Sequence, residues 1–132
     1  MDVKHNFKEL IVWQKSRVLV KNLFILTKKY PKDERYEIVS QMRRAAVSIP
    51  SNIAEGSGRN SNKDFRRFLD IAVSSAYELE TQIIISSDLG YISEDEFNSI
   101  TKDIYEVQKM IYGFKKSLFI TKKLYSFILT LF

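Results

Sequence analysis

Between Ser61 and Gly90 the chain carries one unbroken helical period, in which Phe65, Phe68, Leu69, Ala72, Ala76, Leu79 and Ile83 recur at three- and four-residue spacings. A stripe of that length fits one face of a long amphipathic helix and no strand, because strand side chains alternate with a period of two. Both ends are marked. Ser61 with Asp64 three positions on reads as a helix N-cap, and Gly90 after Asp88-Leu89 supplies a residue that enters left-handed backbone without strain. A helix this long must bury its stripe against other elements, so the rest of the chain has to supply partners.

Those partners are helical as well. A first helix is predicted from about Phe7 to Lys29, with Leu10, Trp13, Val20, Leu23 and Thr27 inward and Pro31 stopping it. A second begins near Asp33 and Glu34, whose charges suit a helix N-terminus, and places Ile38, Met42, Ala45, Ala46, Ile49 and Ile53 on one stripe. Pro50 inside that pattern removes one backbone hydrogen bond and predicts a kink or a break into two shorter helices. Gly56 and Gly58 are expected to end the helix at left-handed positions. The capping box Ser93-Glu-Asp-Glu96 opens a fourth helix with Phe97, Ile100, Ile104, Val107, Ile111, Phe114 and Leu118 inward. With four Gly and two Pro among 132 residues, breakers are too few for a many-stranded sheet. The fold class predicted is all-α, an up-down-up-down antiparallel four-helix bundle over residues 1–118. Residues 119–132 form an apolar extension of helix four or a tail that has to be covered by an oligomer core, by a neighbouring subunit, or by a membrane surface with Lys122 and Lys123 towards the head groups.

Several chemistries are closed to this chain. It has no Cys, hence no disulfide, thiolate nucleophile or cysteine-held metal, and it suits a reducing compartment; a cytoplasmic location is expected. No stretch approaches the roughly 20 apolar residues needed to span a bilayer. The one His is His5, beside a terminus expected to fray, so neither a Ser-His-Asp relay nor a multi-histidine metal site can be assembled within a subunit. Glu78 and Glu80 fall on different helix faces, and no Glu-x-x-His pair exists for a di-iron bundle. The glycines of Glu55-Gly-Ser-Gly-Arg59 lack phosphate-loop spacing and follow a helix instead of a strand. No catalytic residue, metal, cofactor or small-molecule substrate is expected.

Charge is the more informative signal. Residues 1–41 carry nine basic and five acidic side chains and residues 42–69 six and two; residues 70–108 invert this with one and nine, and residues 109–132 carry five Lys and no acid. Such blocks mean an electropositive surface for a polyanion, opposite patches that meet when subunits associate, or plain solvated helix faces. The run Arg43, Arg44, Arg59, Lys63, Arg66 and Arg67 is the candidate nucleic-acid site. Its last three members open helix three, where free backbone amides attract anions, and the Arg fork can take a phosphate in two hydrogen bonds. Pairing of the same arginines with carboxylates is the competing reading, and the residues alone leave the two even. Val47, Ile71 and Ile85 fall opposite the core stripes and are the candidate oligomer interface, although scattered exposed aliphatics also occur on monomers.

The string Gln41-Met-Arg-Arg-Ala-Ala-Val-Ser-Ile-Pro-Ser-Asn-Ile-Ala-Glu-Gly-Ser-Gly-Arg59 is followed by Asp64-Phe-Arg-Arg-Phe-Leu-Asp-Ile-Ala72 and Ser75-Ala-Tyr-Glu-Leu-Glu-Thr-Gln82. Together with Leu10-Ile-Val-Trp-Gln14 and Leu89-Gly-Tyr91 it resembles the bacterial four-helix-bundle family of 23S ribosomal RNA intervening-sequence proteins, over about residues 7–118. The resemblance implies a protein encoded within an insertion that is cut out of the large-subunit ribosomal RNA. Similar proteins include the accessory protein of diversity-generating retroelements, a basic, barrel-like homopentamer that associates with a reverse transcriptase and with nucleic acid. By resemblance, then, a homopentamer is the preferred assembly, RNA or DNA and a partner protein are the expected partners, and Arg43, Arg44, Arg59, Arg66 and Arg67 are the matching basic positions. Asn52, Glu55, Glu78 and Glu80 are polar motif positions assigned to structure. The tail after Leu118 departs from the family's usual length. Two functions remain in view, a nucleic-acid-associated binding protein and a protein-interaction scaffold whose charges serve assembly.

Overall fold

The computed structural model describes residues 5–119 and 129–131; the roles expected of the tail 119–132 fall mostly outside the described residues. Four helices, α1 (Ile11–Thr27), α2 (Ile38–Ser57), α3 (Asn62–Asp88) and α4 (Glu94–Ser117), are joined by short connections, with 3₁₀ turns at Phe7–Glu9, Lys32–Glu34 and Leu129–Leu131. Each helix packs on its neighbour in sequence, and α1 closes the ring against α4. Cross-helix contacts fix the directions. Met42 meets Ser86 and Ser48 meets Ser75 between α2 and α3, while Glu80 meets Gln108 and Asp70 meets Lys115 between α3 and α4, so numbers rise on one helix as they fall on the other. Lys29 with Glu96, Asn22 with Asp103 and Lys15 with Glu106 show the same antiparallel order between α1 and α4.

Periodicity and burial agree closely on α3, where all seven residues of the stripe are buried, and on α4 from Ile100 to Leu118. On α1 the inward face is rotated: Val12, Ser16 and Leu19 are buried along with Leu23 and Thr27, while Trp13 and Val20 are half-buried. Ser16 and Thr27 are tolerated there because each hydroxyl donates to a carbonyl of its own helix, Trp13 and Leu23 respectively.

Four expectations are corrected. Leu10 is extended, so Phe7–Glu9 forms its own turn, capped by the Asn6 side chain, and α1 begins only at Ile11. Asp33 and Glu34 likewise sit in a separate 3₁₀ turn, and Glu37 leaves helical geometry before α2 starts at Ile38. Pro50 does not divide α2, so of the two outcomes expected there the break into two shorter helices is overturned. A proline inside a helix costs about 3 kcal/mol, but Ala46, Ile49 and Ile53 around it are fully buried and hold the helix continuous. Neither Gly56 nor Gly58 is left-handed; among the described residues only Gly90 has positive φ, 76°. Gly56 lies inside α2, where an added Cβ would stand 2.7 Å from Phe65 Cδ1 and 2.7 Å from Phe68 Cβ, so it permits close approach of α2 and α3. His5 packs on the bundle. It is half-buried against the rings of Phe65 and Phe114, at centroid distances of 5.3 and 5.6 Å, and burial lowers its pKa.

Candidate nucleic-acid interface

The basic residues are dispersed by the fold into four settings. The α2–α3 corner unites three of them. After α2 ends, Gly58, Arg59 and Asn60 turn the chain, and the Ser61 hydroxyl caps α3 by accepting from the Asp64 amide at 3.1 Å. A concavity of about 450 Å³ opens there, lined by Arg59, Lys63 and Arg67 with Asn60, Ser61 and Asp64. The Phe68 ring holds the two guanidiniums in place, Arg59 at 4.5 Å and Arg67 at 5.3 Å from its centroid. Such contacts are worth about 0.5–1 kcal/mol at exposed positions. Asp64 partly neutralises the corner: Arg67 donates to its Oδ1 through Nε at 3.0 Å and Nη2 at 2.8 Å, and Arg59 lies 4.0 Å from it and 3.8 Å from Glu55. Lys63 has no counterion among the described residues. Three cations and the Asp64 carboxylate thus line one concavity beside the N-terminus of a 27-residue helix.

The other three are elsewhere. Arg66 donates to the Leu118 carbonyl at 3.4 Å beside the Asn62 amide at 3.2 Å, and its guanidinium lies 3.8 Å from the Phe119 centroid, so it closes the C-terminus of α4. Arg43 is half-buried between α1 and α2; its Nε donates to Thr27 Oγ1 at 3.1 Å, its Nη2 to the Phe24 carbonyl at 3.3 Å, and it covers the Phe24 ring at 4.5 Å. Arg44 is exposed on α2, thirteen residues before the helix ends at Ser57 and hence about 20 Å along the axis from the corner. The sequence run missed a further basic cluster, Lys28, Lys32 and Arg35, which joins Arg43 at the α1–α2 end. Its only trace in the sequence is the density of Lys and Arg on both sides of Pro31.

Polar motif positions are engaged in the bundle. Asn52 donates to the Ser48 carbonyl at 2.8 Å, Ser48 pairs with Ser75 at 2.9 Å, and Glu80 accepts from Gln108 at 2.8 Å. The acidic block meets basic residues of its own chain, as Lys15 with Glu106 at 3.0 Å, Lys29 with Glu96, and Lys115 with Asp70 at 2.5 Å. Hydrogen bonds from the Lys29 ammonium and the Ser93 backbone amide hold the Glu96 carboxyl at about 2, below its usual 4.5. Of the candidate interface residues, Val47 opens into an apolar groove between α1 and α2 with Trp13, Val20 and Pro50, while Ile71 and Ile85 are exposed on α3, about 21 Å apart along its axis.

Residues 8–113 match the family described as 23S rRNA-intervening sequence protein. The chain belongs to that family. A crystal structure of a protein of unknown function from the S23 ribosomal protein family of Bacteroides thetaiotaomicron VPI-5482 is similar to it, at 27% identity and a TM-score of 0.75, over 80% of this chain and 96% of that one. No protein of curated function matches the sequence. Among the described residues no helix is long and apolar enough to cross a membrane.

Proposed function

We propose that this member of the intervening-sequence protein family is a non-enzymatic, cytoplasmic, nucleic-acid-associated homo-oligomer that contacts RNA through the α2–α3 corner. The observation that carries the reading is the convergence of Arg59, Lys63 and Arg67 on one concavity at the N-terminus of α3, with two guanidiniums seated on Phe68. Planar, pre-positioned guanidiniums beside a helix N-terminus suit phosphate oxygens without reading bases, so binding is sequence-tolerant and salt-sensitive. A homopentamer is the favoured assembly, with Val47, Ile71 and Ile85 in its contacts.

Single-stranded and duplex RNA titrated at two salt concentrations test the reading. Lys63→Ala with Arg67→Ala is expected to weaken binding and shallow the salt slope by about one to two phosphate contacts. Unchanged affinity and slope would remove the corner from the interface. Arg66 is left out of the variant because it closes α4. A protein-interaction scaffold without nucleic-acid contact is favoured by one observation, the pairing of Arg67 and Arg59 with Asp64. Absence of RNA binding at low salt would support it.

A further inference from the structure

At the end of the bundle where α1 passes to α2 lies a recess of about 270 Å³. Its floor is formed by the buried Thr27 and Tyr30, one wall by Arg43, and its rim by Lys28, Lys32 and Arg35. Four cations therefore surround a small volume. Among the described residues none of the three rim cations has an ion-pair partner. Nearby acids do not fill the gap: Glu34 accepts from the Tyr91 hydroxyl at 3.0 Å, and the exposed Asp33 and Glu37 do not line the recess. Like charges gathered without a counterion repel one another, so the arrangement favours an anion between them.

Arg43 defines what kind of anion. Its guanidinium is already fixed by Thr27, the Phe24 carbonyl and the Phe24 ring, so binding would freeze little further freedom. Of the five N–H donors a guanidinium carries, those contacts engage two, on Nε and Nη2, and leave three. A phosphate offers oxygens in the matching geometry. The floor selects further: a recess that ends on buried side chains admits the end of a ligand and not the middle of a strand. A terminal phosphate carries about −1.5 to −2 charges and three strong acceptor oxygens, which suits four cations better than the single charge of an internal phosphodiester.

We propose that this recess binds a terminal phosphate monoester, brought by a free nucleotide or by the 5′ end of an RNA. It is separate from the α2–α3 corner, and only its RNA form rests on the nucleic-acid reading given above.

The full chain is titrated calorimetrically, at ionic strength held constant with chloride, with inorganic phosphate, a nucleoside 5′-monophosphate and the corresponding nucleoside. A fluorescent RNA oligonucleotide with a 5′-phosphate is compared with its 5′-hydroxyl twin. The two phosphate compounds are expected to bind and the nucleoside not to. If the source is RNA, the phosphorylated oligonucleotide binds about tenfold more tightly than its twin, and if it is a free nucleotide the oligonucleotides bind alike while the monophosphate binds; either result supports the recess. Lys32→Ala with Arg35→Ala, both exposed and partnerless, should abolish every phosphate preference with helicity unchanged. Lys63→Ala with Arg67→Ala should preserve it. Failure of phosphate and monophosphate to bind, together with equal binding of the two oligonucleotides, overturns the proposal and leaves the corner reading standing. A phosphate preference that survives in the Lys32/Arg35 variant overturns it too. Monophosphate binding in a protein that binds no RNA would support the recess and sink the corner.

Discussion

Gly56→Ala tests whether the closeness of α2 and α3 sets the geometry of the corner. Carbon atoms pack best at about 3.5–4.0 Å, whereas the new methyl would begin 2.7 Å from both Phe68 Cβ and Phe65 Cδ1. The Phe68 Cβ is anchored to the α3 backbone and cannot swing aside, so α3 has to move outward by about an ångström. Overpacking of this kind costs about 1–3 kcal/mol, and the better helix propensity of Ala returns up to about 1 kcal/mol. The net is a loss of between about 0 and 3 kcal/mol, and at its middle, about 1.5 kcal/mol, Tm falls by about 5–7 °C in a domain of this size. Gly58→Ala is the control: its nearest neighbour would be the Glu55 carbonyl at 3.6 Å, and its φ of −88° suits any residue, so stability should hold or rise by up to about 1 kcal/mol. Thermal unfolding followed by far-UV circular dichroism reads both. A Gly56→Ala protein as stable as the Gly58→Ala control would show that the helices have slack there, and the packing account of Gly56 would fail.

Two further outcomes are expected. The Glu96 carboxyl sits at about 2 in the folded chain against a usual 4.5; because the folded value is the lower one, its stabilisation is complete above pH 4.5 and lost as pH falls towards 2. The stability gap between the parent and Glu96→Gln, from urea unfolding at several pH values, should therefore narrow across that window, and a constant gap refutes the assignment. Ile85→Glu should break the proposed homo-oligomer while leaving helicity intact, since Ile85 is 42% exposed and outside the monomer core. Light scattering after size-exclusion chromatography checks it, and an unmodified protein that runs as a 15.5 kDa monomer at micromolar concentration would end the assembly proposal.

The sequence by itself determined the four helices and the buried faces of α3 and most of α4, though not that of α1, because a 3.6-residue period, serine caps and the scarcity of breakers are local properties. Ser61 and Ser93 cap their helices as their spacing predicts, and the α3 stripe is buried from Phe65 to Ile83. Neighbours decided what the local rule left open or got wrong: buried contacts on both sides keep α2 unbroken through Pro50, and Gly56 answers to two phenylalanines on α3 instead of to a turn. Legibility of the charge sites was weaker still. Arg59, Lys63, Arg66 and Arg67 are close in sequence, yet a helix turns 100° per residue, so Arg66 is directed to the end of α4 while its neighbour Arg67 joins Arg59 and Lys63. Arg43 meets Lys28, Lys32 and Arg35 only because α1 and α2 fold back on each other. Which cations share one small volume is a property of helix packing, and the linear order of residues does not contain it.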